Sequence, residues 1–311
     1  MKEIIPDALD NERVDRVISM ILGVSRSTAA IAVSEGLVTL DGKSVSKVSQ
    51  RVTIDQELEV EDSVFDSAPD IAPDPDVELN YVHIDDDVVV VAKSAGRVVH
   101  PGAGHSSGTL AQGLLARFPE IASVGDPGRP GIVHRLDKGT SGVLMAARSV
   151  RAYESLTEQL RNRTVTRRYT AIAWGIPDSP RGVVEAPIGR AVRDPTRMVV
   201  REDGKSARTS YSVLASWTEP KVSLLSCVLD TGRTHQIRVH LEAINHPVVG
   251  DNRYGRGRGD LGIDRPALHA AELGFTHPAT GERLEFADPL PDDISAIIEA
   301  MGTPATGEVP R

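Results

Sequence analysis

Residues 207–230, ARTSYSVLASWTEPKVSLLSCVLD, decide the fold class. The runs ARTSYSVLASW (207–217) and KVSLLSCVLD (221–230) are rich in β-branched, aromatic and other apolar residues, and each reads as a strand. TRRYTAIAWG (166–175) reads as a third strand, and DVVVVAK (87–93) and GVLMAAR (142–148) as two more. Between them, SSGTLAQGLLARF (106–118) predicts a helix capped by Ser107 and closed by Pro119. VRAYESLTEQLRNR (150–163) predicts a helix with Tyr153, Leu156 and Leu160 on one face. QIRVHLEAI (236–244) and ISAIIEAMG (294–302) are helical, and ERLEFADPL (282–290) is strand-like. Strands dominate, and the helices follow no regular βαβ beat. The expected class is α+β with a mixed, largely antiparallel sheet.

The N-terminal part is smaller and self-contained. Val14, Val17, Ile18, Ile21 and Leu22 recur at helical spacing, and a second short helix runs from Ser25 or Ser27 to Gly36. VTLDGKSV (38–45) is a hairpin turning at Asp41-Gly42, and RVTIDQELEV (51–60) is a further strand. Residues 63–78 carry three prolines, many acids and no basic residue, which predicts an extended linker. The expected organisation is a small α/β module at 1–62, the linker at 63–78, a larger unit at 79–302 and a disordered tail at 303–311.

The chain has 311 residues, enough for two domains that fold without disulfides or metal. Its single cysteine, Cys227, rules out an intramolecular disulfide and fits a reducing cytoplasm. No signal peptide and no run of membrane-spanning length is present, so no membrane partner is expected. The net charge of −9 hides an asymmetry. Residues 1–87 hold 7 basic and 20 acidic side chains, whereas residues 129–168 hold 9 basic and 3 acidic. A chain acidic overall can therefore carry a local basic groove, since charges beyond about 8–10 Å are screened.

Two polar clusters could carry chemistry. In GIVHRLDKGTSG (131–142) one carboxylate, Asp137, stands among His134, Arg135 and Lys138, with glycines that permit sharp turns. Neighbouring cations favour its ionised form, which suits a nucleophile or a stabiliser of positive charge; the plain alternative is a charge-paired surface turn. In LDTGRTHQIRVH (229–240), Arg233 and His235 precede a helix start, where free N–H groups favour an anion; the alternative is an exposed basic helix end. Arg167-Arg168-Tyr169 opens a strand, and the tyrosine is either a half-buried sheet residue or a surface on which a base can stack. No HExxH, CxxC or GxSxG pattern, dinucleotide loop or P-loop is present.

Together these clusters resemble the RluA-type family of RNA pseudouridine synthases. GIVHRLDKGTSG is similar to the catalytic motif, with Asp137 at the essential aspartate. LDTGRTHQIRVH is similar to the motif whose arginine pairs with that aspartate, here Arg233, and RRYTA to the motif supplying the active-site tyrosine, Tyr169. LHAAELGFTHP (268–278) and AKSAGRVVHPG (92–102) resemble further blocks, the latter with Ser94 where a proline is usual. The N-terminal module resembles an S4 RNA-binding domain through Arg13, Ser25-Arg26-Ser27, Glu35-Gly36 and Asp41-Gly42-Lys43, although residues 1–62 are net −5. S4 plus this catalytic unit is the arrangement of the large-subunit ribosomal RNA enzymes of the C and D types, and GTSG fits the D type.

The resemblance implies a pseudouridine synthase fold and isomerisation of uridine in RNA, most simply large-subunit ribosomal RNA, free or in assembling subunits. It implies a cytoplasmic, monomeric enzyme without metal or other cofactor. Asp137 attacks C1′ or removes the 2′ proton, Arg233 holds it ionised, and Tyr169 stacks on the base. Arg135, His134, Lys138, Arg167, Arg168, His235, Arg26 and Lys43 contact RNA, with Arg135 a candidate to fill the space a flipped base vacates. A non-catalytic S4-type RNA-binding or ribosome-assembly protein is the principal rival, and a carboxylate-dependent glycoside hydrolase a distant one.

Overall fold

The computed structural model describes residues 1–311 apart from 23–25, 62–70, 103–104, 127, 195 and 311, and apart from the side chains of residues 8 and 26–28. The N-terminal unit comprises β1 (Lys2–Ile4), α1 (Val14–Leu22), α2 (Arg26–Ser34), β2 (Val38–Leu40), β3 (Lys43–Ser44) and β4 (Glu57–Val60). Its antiparallel sheet runs β1-β4-β2-β3. The helical apolar spacing closes the core, because Val14, Val17 and Ile18 bury fully with Ile5, Val38 and Leu58. The Asp41-Gly42 hairpin forms as expected, with both residues at positive φ (50° and 71°). The strand expected over 51–60 is shorter, confined to β4.

The larger unit follows in the order β5 (Asn80–Ile84), β6 (Val88–Lys93), α3 (Leu110–Arg117), β7 (Ser141–Ala147), α4 (Val150–Arg161), β8 (Thr166–Trp174), β9 (Arg181–Glu185), β10 (Ile188–Arg190), β11 (Met198–Val200), β12 (Arg208–Thr218), β13 (Lys221–Leu229), α5 (Gln236–Ala243), β14 (Leu268–Thr276), β15 (Arg283–Ala287), α6 (Asp292–Met301) and β16 (Thr306–Gly307). The main sheet runs β16-β12-β13-β8-β14-β7-β6-β5, with β15 beside β14 and β9 beside β12. All its pairings are antiparallel except β7 with β14. The expected α+β class with a mixed, largely antiparallel sheet is what forms.

Three expectations are corrected. The cap of α3 is Thr109 rather than Ser107: Thr109 and Gln112 form a reciprocal capping box, and both are buried. The disordered tail expected at 303–311 is ordered over its described residues, 303–310, because β16 pairs with β12 and Ala305 N–H donates to Ser216 O at 2.7 Å. The linker expected at 63–78 lies partly outside the described residues. Its described end instead packs on α3: Val77 is buried, and Asp74 N–H donates to Gln112 O.

The sheet places the catalytic candidates by register. Cys227 of β13 faces Tyr169 of β8, Thr170 of β8 faces His269 of β14, and His269 faces Ser141 of β7. Asp137 lies in the loop leading into β7, so β13, β8, β14 and β7 bring the two motifs and Tyr169 over the middle of one sheet. The parallel β7–β14 contact is very close at Gly142, where φ is +114° and an added Cβ would stand 2.2 Å from Ala270 O. Gly142→Ala is therefore expected to cost at least about 2 kcal/mol of stability, through backbone strain and the clash with main chain. Equilibrium urea unfolding measures it, and a wild-type midpoint would contradict the close pairing.

Candidate active site

A cavity of about 390 Å³ opens above the middle of the sheet. Asp137 is its sole lining carboxylate among the described residues; Tyr169, Leu136, Ile237 and Leu268 supply apolar surface, and arginines stand around it. The loop carrying Asp137 is fixed from behind by two basic side chains. Lys93, almost fully buried, donates to the carbonyls of Ser94, Arg97 and Lys138 at 2.9–3.4 Å. Arg265 donates to Gly139 O at 3.1 Å and forms a two-pronged pair with Asp293 at 2.6 Å. Asp137 O also accepts from Thr140 N–H, closing the turn.

The guanidinium paired with Asp137 is that of Arg238, not Arg233. Arg238 Nη1 donates to Asp137 Oδ2 at 3.1 Å, while its Nε and Nη2 grip Asp251 at 2.6 and 2.9 Å. Asp251 is fully enclosed and also accepts from the backbone N–H groups of Arg253 and Tyr254. Arg238 lies 4.9 Å from the centroid of the Tyr254 ring. Burial opposes the charged guanidinium, but the bonds and charges of Asp251 and Asp137 outweigh it and hold Arg238 above the usual arginine range. Arg233 stays exposed at the cavity edge, its Nε donating to Ser206 O at 3.0 Å. It precedes α5, whereas Arg238 stands on the buried face of that helix.

The rest of TGRTHQIRVH explains the geometry. Gln236 accepts from Thr231 Oγ1 and Arg233 N–H and donates to Arg208 O and Thr209 Oγ1, which staples the turn to β12. His240 bonds Thr209 Oγ1 and Ala186 O deep in the fold. His235 takes the left-handed conformation (φ 58°) at the start of α5, costly for a non-glycine residue. Its Nδ1 meets the Tyr254 hydroxyl at 2.9 Å, and its Nε2 lies 4.0 Å from Asp137 Oδ1.

Tyr169 is buried beside Asp137, and burial pushes its phenol up to about 12, so it is neutral near pH 7. Arg167 lies on the same face of β8, buried in the cavity wall, whereas Arg168 points elsewhere and pairs with Glu272 at 2.8 Å. His134 lines the cavity and accepts from Met145 N–H; burial, then Arg167, push it down to about 3. Arg135 is exposed, its Nη1 3.5 Å from His100 Nε2, and exposed Lys138 approaches His105 Nε2 at 3.4 Å. Lys43 is exposed on β3, and the side chain of Arg26 lies outside the described residues. Among the described residues no group of three His, Cys, Asp or Glu side chains is placed to hold a metal ion.

Residues 87–243 match the family model described as RNA pseudouridylate synthase, and residues 12–58 match the S4 domain model. The chain is 42% identical over 293 residues to an uncharacterized RNA pseudouridine synthase of Bacillus subtilis, with 94% of each chain covered. It is 39% identical to ribosomal large subunit pseudouridine synthase D of Nitrosomonas europaea, covering 96% of this chain and 86% of that one. The chain belongs to the RNA pseudouridine synthase family. The solved human RNA pseudouridylate synthase domain containing 1 has the same fold, with a TM-score of 0.56 and 28% identity over 75% of this chain and 98% of that one. The chain is thus an RNA-modifying isomerase whose substrate is RNA.

Sequence reasoning named the motifs that the fold brings to one cavity but missed Arg238, Asp251, Tyr254 and Lys93. One signal was available for Arg238: it follows His235 by three residues, so both lie on one side of the helix start.

Two predictions follow from this geometry. Breaking a buried ion pair from one side leaves its partner uncompensated, so Arg238→Met is expected to lose about 3–5 kcal/mol of stability. Arg233→Met is expected to lose under about 1 kcal/mol; equal losses in urea unfolding would contradict the assignment. The second concerns acid. Burial holds His100 (about 4), His134 (about 3), His235, His240 and His269 below their ordinary 6.5. The unfolded chain therefore takes up protons that the folded chain refuses, so the stability these groups support is full above about pH 7 and is lost as pH falls. The urea midpoint should drop between pH 7 and pH 5, and a flat midpoint would contradict the burial.

Proposed function

We propose that this synthase converts uridines of large-subunit ribosomal RNA to pseudouridine in the cytoplasm, with Asp137 as the reacting carboxylate. The observation that carries the reading is that Asp137 is the one carboxylate lining the cavity among the described residues and is held there by a buried guanidinium. Relatives named ribosomal large subunit pseudouridine synthase D, matched over most of this chain, support the choice of RNA. The protein acts as a monomer, with residues 1–62 as the S4-like module and the unit from residue 71 to the C-terminus as the catalytic domain.

A stacked uridine is out of reach of Asp137, so the nucleotide is flipped into the cavity at a cost of a few kcal/mol. Asp137 then attacks C1′, displacing the uracil anion, or removes the 2′ proton to leave a glycal. In either route the N1–C1′ bond breaks and the base turns; C5 then joins C1′, which expels the Asp137 carboxylate on the first route and returns the proton to C2′ on the second, and the C5 proton departs while N1 is protonated. No atom is gained or lost and no electron is transferred. Arg238 aims the carboxylate, its own orientation set by the grip on Asp251. Tyr169 packs against the base; with its phenol near 12, it serves as a stacking surface rather than as a base at neutral pH. Exposed Arg135, Lys138 and Arg233 at the cavity edge meet the backbone phosphates, and Arg26 and Lys43 of the S4-like module add contacts further along the RNA.

Release of tritium from large-subunit ribosomal RNA labelled at uridine C5 reads the reaction directly. Wild type is expected to release it without added cofactor, and Asp137→Asn to release none while binding RNA within about threefold of wild type. Arg238→Lys should fall by at least about a hundredfold, because lysine cannot hold both carboxylates in a planar fork. Turnover by Asp137→Asn would overturn the assignment, and release from transfer RNA alone would redirect the substrate.

A further inference from the structure

Among the described residues, three buried side-chain polar atoms have no hydrogen-bond partner, and two of them, Arg167 Nε and His100 Nδ1, belong to residues lining the active-site cavity. Native proteins leave few such groups unsatisfied, so two in one cavity ask for a ligand. Both are donors. His100 Nε2 faces the Arg135 guanidinium, which has only protons to offer, so the imidazole proton sits on Nδ1.

Arg167 is the more demanding of the two. Its side chain is buried in the wall at 7% exposure. Its single hydrogen bond among the described residues, from Nη2 to Leu229 O at 3.4 Å, is long. No carboxylate forms an ion pair with it there. Asp230, the acid whose charge reaches it, is engaged by Arg208. The TGR turn runs so close that a Cβ on Gly232 would stand 2.7 Å from Arg167 Nη1, so the backbone fences the guanidinium without neutralising it. A buried cation without a counter-charge is expensive, and only an anion inside the cavity offsets the cost.

We propose that Arg167 is the phosphate subsite of the cavity, its Nε–H donating to a non-bridging oxygen of the phosphodiester next to the flipped uridine, while His100 Nδ1–H donates to an oxygen of the same RNA segment. This rests on the reading that the cavity takes a uridine of RNA. The register supplies the spacing. Arg167 and Tyr169 are two residues apart on β8 and face the same way, which sets them about 6.6–7 Å apart along the strand. That is the reach from a stacked base to the backbone of its own nucleotide. Anion capture also explains why the site spends an arginine here: a guanidinium offers phosphate a fork that a lysine cannot.

The test uses the full chain and a synthetic stem-loop fragment of large-subunit ribosomal RNA. Binding is measured against potassium chloride concentration for wild type and Arg167→Met, and then against a set of stem-loops each carrying one neutral methylphosphonate. The expected result is a salt slope smaller by roughly 0.7–0.9 in the variant, the signature of one lost phosphate contact. A single methylphosphonate position should weaken wild type by about tenfold and leave Arg167→Met unchanged. Equal slopes and equal responses at every position, with only a lowered thermal midpoint, would make Arg167 a strut beneath Leu229 and overturn the proposal. If Arg167→Met does not fold, Arg167→Lys replaces it; lysine keeps the charge but loses the fork, so the sensitive position must cost it less than wild type. Tritium release by wild type runs in parallel. Turnover without a sensitive phosphate overturns the subsite alone, and a sensitive phosphate without turnover overturns the ribosomal RNA reading alone.

Discussion

The active site depends on one guanidinium held between two carboxylates. Arg238 spends two donors on the enclosed Asp251 and one on Asp137, which faces the cavity. The division of labour follows from burial. Asp251, at 0% side-chain exposure and bonded by two backbone N–H groups, is a fixed anchor. Asp137, at 17%, keeps one side open to the cavity. A buried triad of charges is a poor way to gain stability, since apolar side chains of similar volume commonly serve as well or better. What the triad secures is geometry: a guanidinium fixed by Asp251 holds the Asp137 carboxylate in one orientation at the cavity.

The rest of the domain serves to place that guanidinium. Gln236 and His240 anchor the start and end of one stretch of α5 to β12, leaving His235 and Arg238 turned toward Asp137. Lys93 and Arg265 hold the other partner by binding the carbonyls of residues 138 and 139. The sheet beneath makes both loops neighbours, and the parallel pairing of β7 with β14 across Gly142 fixes where the Asp137 loop ends. Residues that look like one uniformly functional motif thus divide into those that hold the loop and those that face the cavity.

That division marks how far the sequence could be read. The fold class, the Asp41-Gly42 hairpin, the helices of both units and the three motifs follow from local periodicity and turn chemistry, so they were legible. The partner of Asp137 was not, because choosing between Arg233 and Arg238 requires knowing where α5 begins and which face it buries. Asp251 sits in an irregular loop, and only the tertiary fold brings it to Arg238. Thr109 was legible in principle through the Thr-x-x-Gln capping box, which outweighs the earlier serine. The C-terminal strand was not: TPATGEVPR has the composition of a tail, and Thr306–Gly307 pair within it because β12 offers an open edge and Trp217 Nε1 donates to Gly302 O.

The charge asymmetry also resolves in physical terms. In the acidic N-terminal unit the protein's own groups occupy several cations: Arg13 forks onto Asp15, Arg16 pairs with Glu12, Lys2 with Glu57, and Arg51 bonds Asn11 O. A cation already engaged has less to gain from a phosphate, and the surrounding carboxylates repel RNA. Around the cavity the balance is opposite: Arg129, Arg135, Arg161, Arg167 and Arg233 face one carboxylate, and that carboxylate is committed to Arg238. Low-dielectric walls concentrate the uncompensated field in the cleft, where screening by salt is weakest. A polyanion approaching a molecule of net charge −9 is therefore drawn to the part of the surface where Asp137 lines the cavity.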